Sequence, residues 1–116
     1  MTEEKNNSDI SNYHSMWILA MFDLPTETKE ERRRYREFRK CLLKQGFAQL
    51  QYSVYARFVG DESRSLKFKR VIKEAIPEEG EVRILTVTDF QYGKMDVFSS
   101  RKKVKAEEIP EEIMLF

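Results

Sequence analysis

Asp23 offers the most chemistry of any single residue in the chain. It closes the apolar run Trp17 to Phe22 (WILAMF) and precedes Leu24 and Pro25. A carboxylate at the end of a buried strand needs a compensating partner, because an unpaired charge removed from water is costly. Two roles would satisfy it. One is a turn aspartate that hydrogen-bonds the Leu24-Pro25 backbone. The other is an oxygen ligand to a hard divalent cation such as Mg2+, which prefers carboxylates and retains water. If two copies met about a two-fold axis, two Asp23 carboxylates would face one another and repel unless a proton or a cation lay between them.

The second constellation is basic. From Lys29 to Lys73, fourteen Lys and Arg stand against five Asp and Glu, a local excess suited to phosphates that the near-zero net charge conceals. Arg33, Arg36, Lys40 and Lys44 recur at one-turn spacing opposite Tyr35, so a helix would align them as one stripe. A solvated helix face is the plainer reading, but Glu30, Glu31 and Glu37 offset only part of the charge, which favours phosphate binding. Arg32 and Arg39 flank the apolar stripe and are placed to turn toward an active-site cleft instead.

Other chemistries lack their residues. His14 is the single histidine, and it lies in a polar stretch, residues 1–14, that reads as a disordered leader. Histidine acid/base or triad chemistry is thereby disfavoured. Cys41 is alone, and no Cys/His cluster has zinc spacing. No Walker loop or dinucleotide glycine fingerprint is present. The leader has no apolar run of the kind a signal peptide or membrane anchor needs, and the chain is expected in the reducing cytoplasm, away from membranes. Tyr52 and Tyr55 could stack on bases, although aromatics inside a strand more often serve sheet core or dimer contact.

The elements that must position these groups follow from the hydrophobic pattern. The run at 17–22 suits a strand buried on both faces. Thr28 to Glu31 has the capping-box form, so a helix is predicted over Lys29 to Lys44, with Tyr35, Phe38, Leu42 and Leu43 turned inward. Gln45 and Gly46 end it, and Phe47 to Val59 alternates as one unusually long strand. A second helix starts after Asp61, buries Phe68, Val71, Ile72 and Ala75, and stops at Pro77 and Gly80. Val82 to Thr88 is a third strand and Met95 to Phe98 a shorter fourth.

The fold class is read as α/β (α+β): a ferredoxin-like βαββαβ domain over residues 15–98, its four-stranded antiparallel sheet carrying both helices on one face. Apolar residues of both parities in the first strand imply that the other face is covered too, most economically by a second copy of the chain. Residues 99–116 form a charged tail. It is basic at Arg101, Lys102, Lys103 and Lys105, then acidic, and it ends in Ile113, Met114, Leu115 and Phe116. Those four read as an added edge strand, within a dimer or on a partner.

The segment FDLPTETKEERRRYREFRKCLLKQGFAQLQYSVYARF, Phe22 to Phe58, resembles the Cas-two family, the small CRISPR-associated adaptation protein. The resemblance rests on a hydrophobic strand ending in Asp, an Arg-rich first helix closing at Gln45-Gly46-Phe47, the QYSVY strand, and VRILTVTDFQY as the third strand. It covers roughly Trp17 to Phe98, and its wording is most similar to members from type II systems. It implies a ferredoxin-like homodimer with Asp23 as catalytic residue and Mg2+ site at the interface, and endonuclease action on RNA or duplex DNA. It also implies a role in spacer acquisition: bridging two dimers of the Cas-one integrase while basic residues hold duplex DNA, with single-stranded RNA as a further substrate. The tail, with Ile113 to Phe116, is then expected to reach the integrase. The alternative is a stand-alone ferredoxin-like ribonuclease or RNA-binding module with no integrase partner.

Overall fold

The first strand, β1 (Met16–Asp23), lies at the centre of the sheet. The computed structural model describes residues 15–100 and 102–109. Within them β1 is followed by α1 (Lys29–Lys44), β2 (Ala48–Gln51), β3 (Val54–Gly60), α2 (Glu62–Ala75) and β4 (Glu81–Thr88). The sheet order is β2-β3-β1-β4 and the paired strands are antiparallel. This is the ferredoxin-like arrangement, with β1 hydrogen-bonded on both sides.

Residue parity along β1 divides the core in two. Ile18, Ala20 and Phe22 point to the helix side, where they pack with Tyr55 and Val59 of β3, Phe38 and Leu42 of α1, and Ile72 of α2. Each large apolar side chain fully buried this way is worth about 1.5 to 3 kcal/mol relative to exposure. Trp17 and Leu19 point to the opposite face with Ala56 and Phe58. The strand therefore buries both faces, as its unbroken apolar run predicts.

Both main helices begin as the capping pattern predicts. Thr28 accepts from the Glu31 backbone N–H (3.0 Å), and the Glu31 carboxylate accepts from the backbone N–H of Thr28 (2.9 Å) and of Glu27 (3.0 Å). Asp61 caps α2 through the Arg64 backbone N–H at 2.8 Å. The Thr28 and Glu27 amides hold the Glu31 carboxyl below its usual range, and the Arg64 amide with the Ser63 hydroxyl does the same for Asp61. α1 turns Tyr35, Phe38 and Leu42 to the core, but Leu43 is exposed, one residue past the buried stripe.

Two predicted strands are corrected. Phe47 to Val59 is a hairpin, β2 and β3, turning at Tyr52 and Ser53. Neither turn residue has a positive φ, so the turn needs no Gly or Asn and leaves no punctuation in the sequence. The pairing of β2 with β3 is irregular there, with a register shift between Gln49 and Gln51. Because that segment supplies two strands, Glu81–Thr88 completes the sheet and Met95 to Phe98 is surplus to it. Part of it, β5 (Val97–Ser99), pairs with β6 (Lys102–Val104) in a separate two-stranded hairpin. The leader at 1–14 and the edge strand at Ile113 to Phe116 lie outside the described residues.

The face away from the main helices is partly covered by the chain itself. The short helix α3 (Asp89–Gly93) lays Tyr92 flat against Trp17, with centroids 3.9 Å apart and planes 2° from parallel. The Trp17 indole N–H donates to Asp89 Oδ1 at 2.6 Å, and Tyr92 Oη donates to Glu107 at 2.7 Å. Ala106 and Ile109 pack on the same cluster. Burial and the Glu107 carboxylate push the Tyr92 hydroxyl far above its ordinary pKa. The rest of the face is more open, and Leu85, opposite Leu19 on β4, is 50% exposed.

Two outcomes follow from this packing. The Tyr55 hydroxyl is fully buried with no partner among the described residues, a situation that costs about 1 to 3 kcal/mol. Tyr55→Phe is therefore expected to raise the urea midpoint with unchanged m-value. Glu31 and Asp61 have depressed folded pKa values, so their contribution is fully present above the unfolded-state pKa and lost as pH falls through the folded value. The urea midpoint should thus drop between about pH 5 and pH 3, and less steeply in Glu31→Gln, whose side chain cannot titrate.

Candidate nucleic-acid interface

α1 carries the basic stripe, and its neighbours decide which charges remain available. Arg33 is clamped by carboxylates one turn away on either side, Glu30 and, at 2.8 Å, Glu37. The Glu30 carboxylate raises the Arg33 pKa, and Arg33 lowers that of Glu30. Arg34 adds a 3.5 Å contact to Glu30. Arg32 is also occupied: its guanidinium donates to the carbonyls of Thr26 (3.2 Å) and Glu27 (2.7 Å), tying the β1–α1 loop to the helix. Arg36, Lys40 and Lys44 are exposed without an ion pair among the described residues, and Arg39 is half-buried without one. The usable stripe is therefore shorter than its spacing suggests.

A second basic group on the helix side was not singled out from the sequence. Arg57, on β3, donates to the Gln45 carbonyl at 2.7 Å, so it caps the end of α1, and its guanidinium lies 4.4 Å from the Phe68 ring centre. Burial, then the nearby Arg64 charge, lowers its pKa. Arg64 and Lys67 line an adjoining groove of about 390 Å3 with Gln45, Phe68 and Val71. Nothing in the spacing of Arg57 announced this position, which arises because β3 runs under the α1 terminus.

Asp23 lies at the end of β1 on the face away from the helices, and it is exposed. The expected burial therefore does not occur in the single chain. Phe22 and Leu24 take the buried positions, and Asp23, of opposite parity to Phe22, turns outward. Register puts Glu81, the first residue of β4, directly opposite it. Cross-strand neighbours of this kind lie with Cβ atoms about 5 Å apart, and sequence spacing gives no hint of the pair. Glu81 also accepts from Arg83 at 3.2 Å. Both carboxylates are hard oxygen donors of the kind Mg2+ takes, but among the described residues no three His, Cys, Asp or Glu side chains converge. One chain alone thus supplies an incomplete donor set.

The two tyrosines of the QYSVY segment part company. Tyr55 belongs to the core, whereas Tyr52, at the hairpin tip, is 74% exposed. The hairpin meets β1 through the Phe22 backbone N–H, which donates to the Ser53 carbonyl at 3.1 Å. Tyr52 therefore sits at the same end of the sheet as Asp23.

Residues 16–95 match the family model for CRISPR associated protein Cas2. The chain belongs to the Cas2 family. It is 36% identical over 113 residues to the CRISPR-associated endoribonuclease Cas2 of Flavobacterium psychrophilum, a match covering 97% of this chain and 98% of that one. To the protein of the same name from Parvibaculum lavamentivorans it is 43% identical over 102 residues, covering 87% and 100%. A solved structure titled "Crystal structure of cas2" superposes with a TM-score of 0.54 at 18% identity, covering 83% of this chain and 99% of that one, a likeness of fold. The Cas2 model match runs from β1 to Met95 and stops before the β5–β6 hairpin and the tail. No helix among the described residues is long and apolar enough to cross a membrane.

The charge accounting has a measurable consequence. Replacing Arg36, Lys40 and Lys44 together by Ala should lower the log-log salt slope of duplex DNA binding by roughly 2 to 3, at ~0.9 per lost phosphate contact. Arg33→Ala should change it little, because its charge is already matched by Glu30 and Glu37. A fluorescence-anisotropy titration over a series of salt concentrations checks both.

Proposed function

We propose that this chain works as a homodimer in CRISPR spacer acquisition, gripping duplex DNA with α1 and bridging integrase dimers of the Cas-one type. We propose further that the dimer is a Mg2+-dependent endonuclease acting on RNA. The observation that carries the reading is the placement of Asp23. It is an exposed carboxylate at the rim of a sheet face that carries Met21, Val54 and the half-exposed Leu85 beyond the part the chain covers itself. Docking that face on a second copy would bury the remaining apolar surface and bring both Asp23–Glu81 pairs toward the axis, supplying the donors one chain lacks.

In that assembly Asp23 of each protomer would hold the ion, with Glu81 beside it. Bound Mg2+ would supply an activated water and stabilise charge on the phosphate undergoing displacement. Arg36, Lys40 and Lys44 would hold the backbone by charge, which positions a strand without reading its sequence. The names of the curated relatives support the ribonuclease part, and the unpaired α1 cations support the scaffold part. The tail, with Ile113 to Phe116, is assigned to the integrase contact; it lies outside the Cas2-matched region, and in its described part Ala106 and Ile109 pack on this chain's own sheet.

A Mg2+-dependent cleavage assay on single-stranded RNA and duplex DNA, run beside an integration assay with the partner integrase, tests both roles. Asp23→Ala should abolish cleavage and leave duplex binding and integration nearly intact. Cleavage that survives the substitution removes Asp23 from the active site, and a wild-type chain that stays monomeric in light scattering removes the shared site altogether.

A further inference from the structure

An aromatic side chain at the tip of a tight hairpin has no packing reason to be 74% exposed. The turn conformation does not ask for tyrosine, since such positions favour small polar residues. Yet this turn is held firmly. The Tyr52 carbonyl accepts from Gln49 Nε2 at 3.2 Å and from the Tyr35 hydroxyl at 3.5 Å. The Tyr52 ring is stacked on Tyr35 at 6.0 Å and 26°, and Tyr35 in turn packs at 5.9 Å on Phe22 in the core. One face of Tyr52 is thus braced by a ladder of rings running into the interior, and the residue remains largely open to solvent.

The surroundings supply one further group that a nucleotide would use. Arg39 lies one turn beyond Tyr35 on the same side of α1, whereas Arg36 belongs to the stripe on the opposite face. Neither has an ion pair among the described residues. The Ser53 carbonyl accepts from the Phe22 N–H, so the turn is tied to β1 one residue short of Asp23. We propose that Tyr52 is a stacking platform for one unpaired base of single-stranded RNA, at the end of the sheet that carries Asp23, with Arg39 taking an adjoining phosphate. The inference rests on the ribonuclease reading, and it assigns the contact with an unpaired base to one residue. Bases inside a duplex have both faces occupied by neighbours, whereas a free base has a face to offer an aromatic ring. The braced ring loses little freedom on binding, which favours stacking over a flexible contact.

The test is binding of a 5′-labelled single-stranded RNA and of a blunt duplex, by fluorescence anisotropy on the full chain in chelator-containing buffer, so that no cleavage intervenes. Tyr52→Ala and Tyr52→Leu should each weaken single-strand binding about tenfold, and Tyr52→Phe should bind within about twofold of wild type. Duplex affinity and the salt slope for the single strand should stay unchanged, because stacking releases no counterions. The Leu variant still covers Tyr35 with an apolar side chain, so it guards against a collapsed hairpin. Unchanged single-strand binding in the Ala and Leu variants overturns the proposal. So does an equal loss in all three variants, an equal loss on the duplex, or a wild type that does not bind the single strand. Because cleavage is not read, failure of the nuclease assignment at Asp23 would leave this result standing on its own.

Discussion

Everything else in the molecule depends on the hydrogen-bond ladder that fixes β1 between β3 and β4. Six residue pairs join it to β3 and eight to β4. Once the register is set, parity is no longer free: a slip of one residue would send Ile18, Ala20 and Phe22 to the wrong face and leave α1 and α2 nothing to pack on. The same ladder aims Asp23 outward and seats it opposite Glu81. Core and candidate chemistry are thus two consequences of one constraint.

The arrangement of charge shows how geometry edits a composition. The chain places a large cationic excess between Lys29 and Lys73, but Arg32 is spent on loop carbonyls, Arg33 on two glutamates and Arg57 on the end of α1. Exposed ion pairs of this kind contribute little to stability. Their larger effect is to remove charges from the surface field, so the cations that can meet phosphate cluster at Arg36, Lys40 and Lys44 on α1 and on the exposed side of α2. The result is a directed basic surface on the helix side, while the opposite face stays apolar except for its rim.

Much of this was legible in the residues because local rules and tertiary packing agree there. The Thr28 capping box, the Asp61 cap, the helical stripes and the two-faced first strand are each written in local sequence, and the structure follows them except at Leu43. The hairpin inside Phe47 to Val59 was hidden because its turn has no Gly, Pro or Asn, so alternation ran through it without interruption. Taken as one strand, that segment leaves a vacancy in the sheet, which the short apolar run Met95 to Phe98 has the composition to fill. The Asp23–Glu81 pairing is a matter of register, which no window of local sequence contains. The neutralisation of Arg33, by contrast, was readable from Glu30 and Glu37 at helical spacing, and weighing those neighbours one by one rather than as a net charge would have shortened the predicted stripe.

The central position of β1 also sets the order in which the fold can be assembled during synthesis. Met16 pairs with Thr88, and the whole β1–β4 ladder joins the start of the domain to its end. On the ribosome, β1 can meet the β2–β3 hairpin early, but its other edge has no mate until β4 has been translated. For that interval the nascent chain carries an open apolar edge, the kind of surface that recruits chaperones or a neighbouring nascent chain. Placing the most hydrophobic strand in the middle gives the finished sheet its strength and makes the arrival of β4 the step at which that edge is closed.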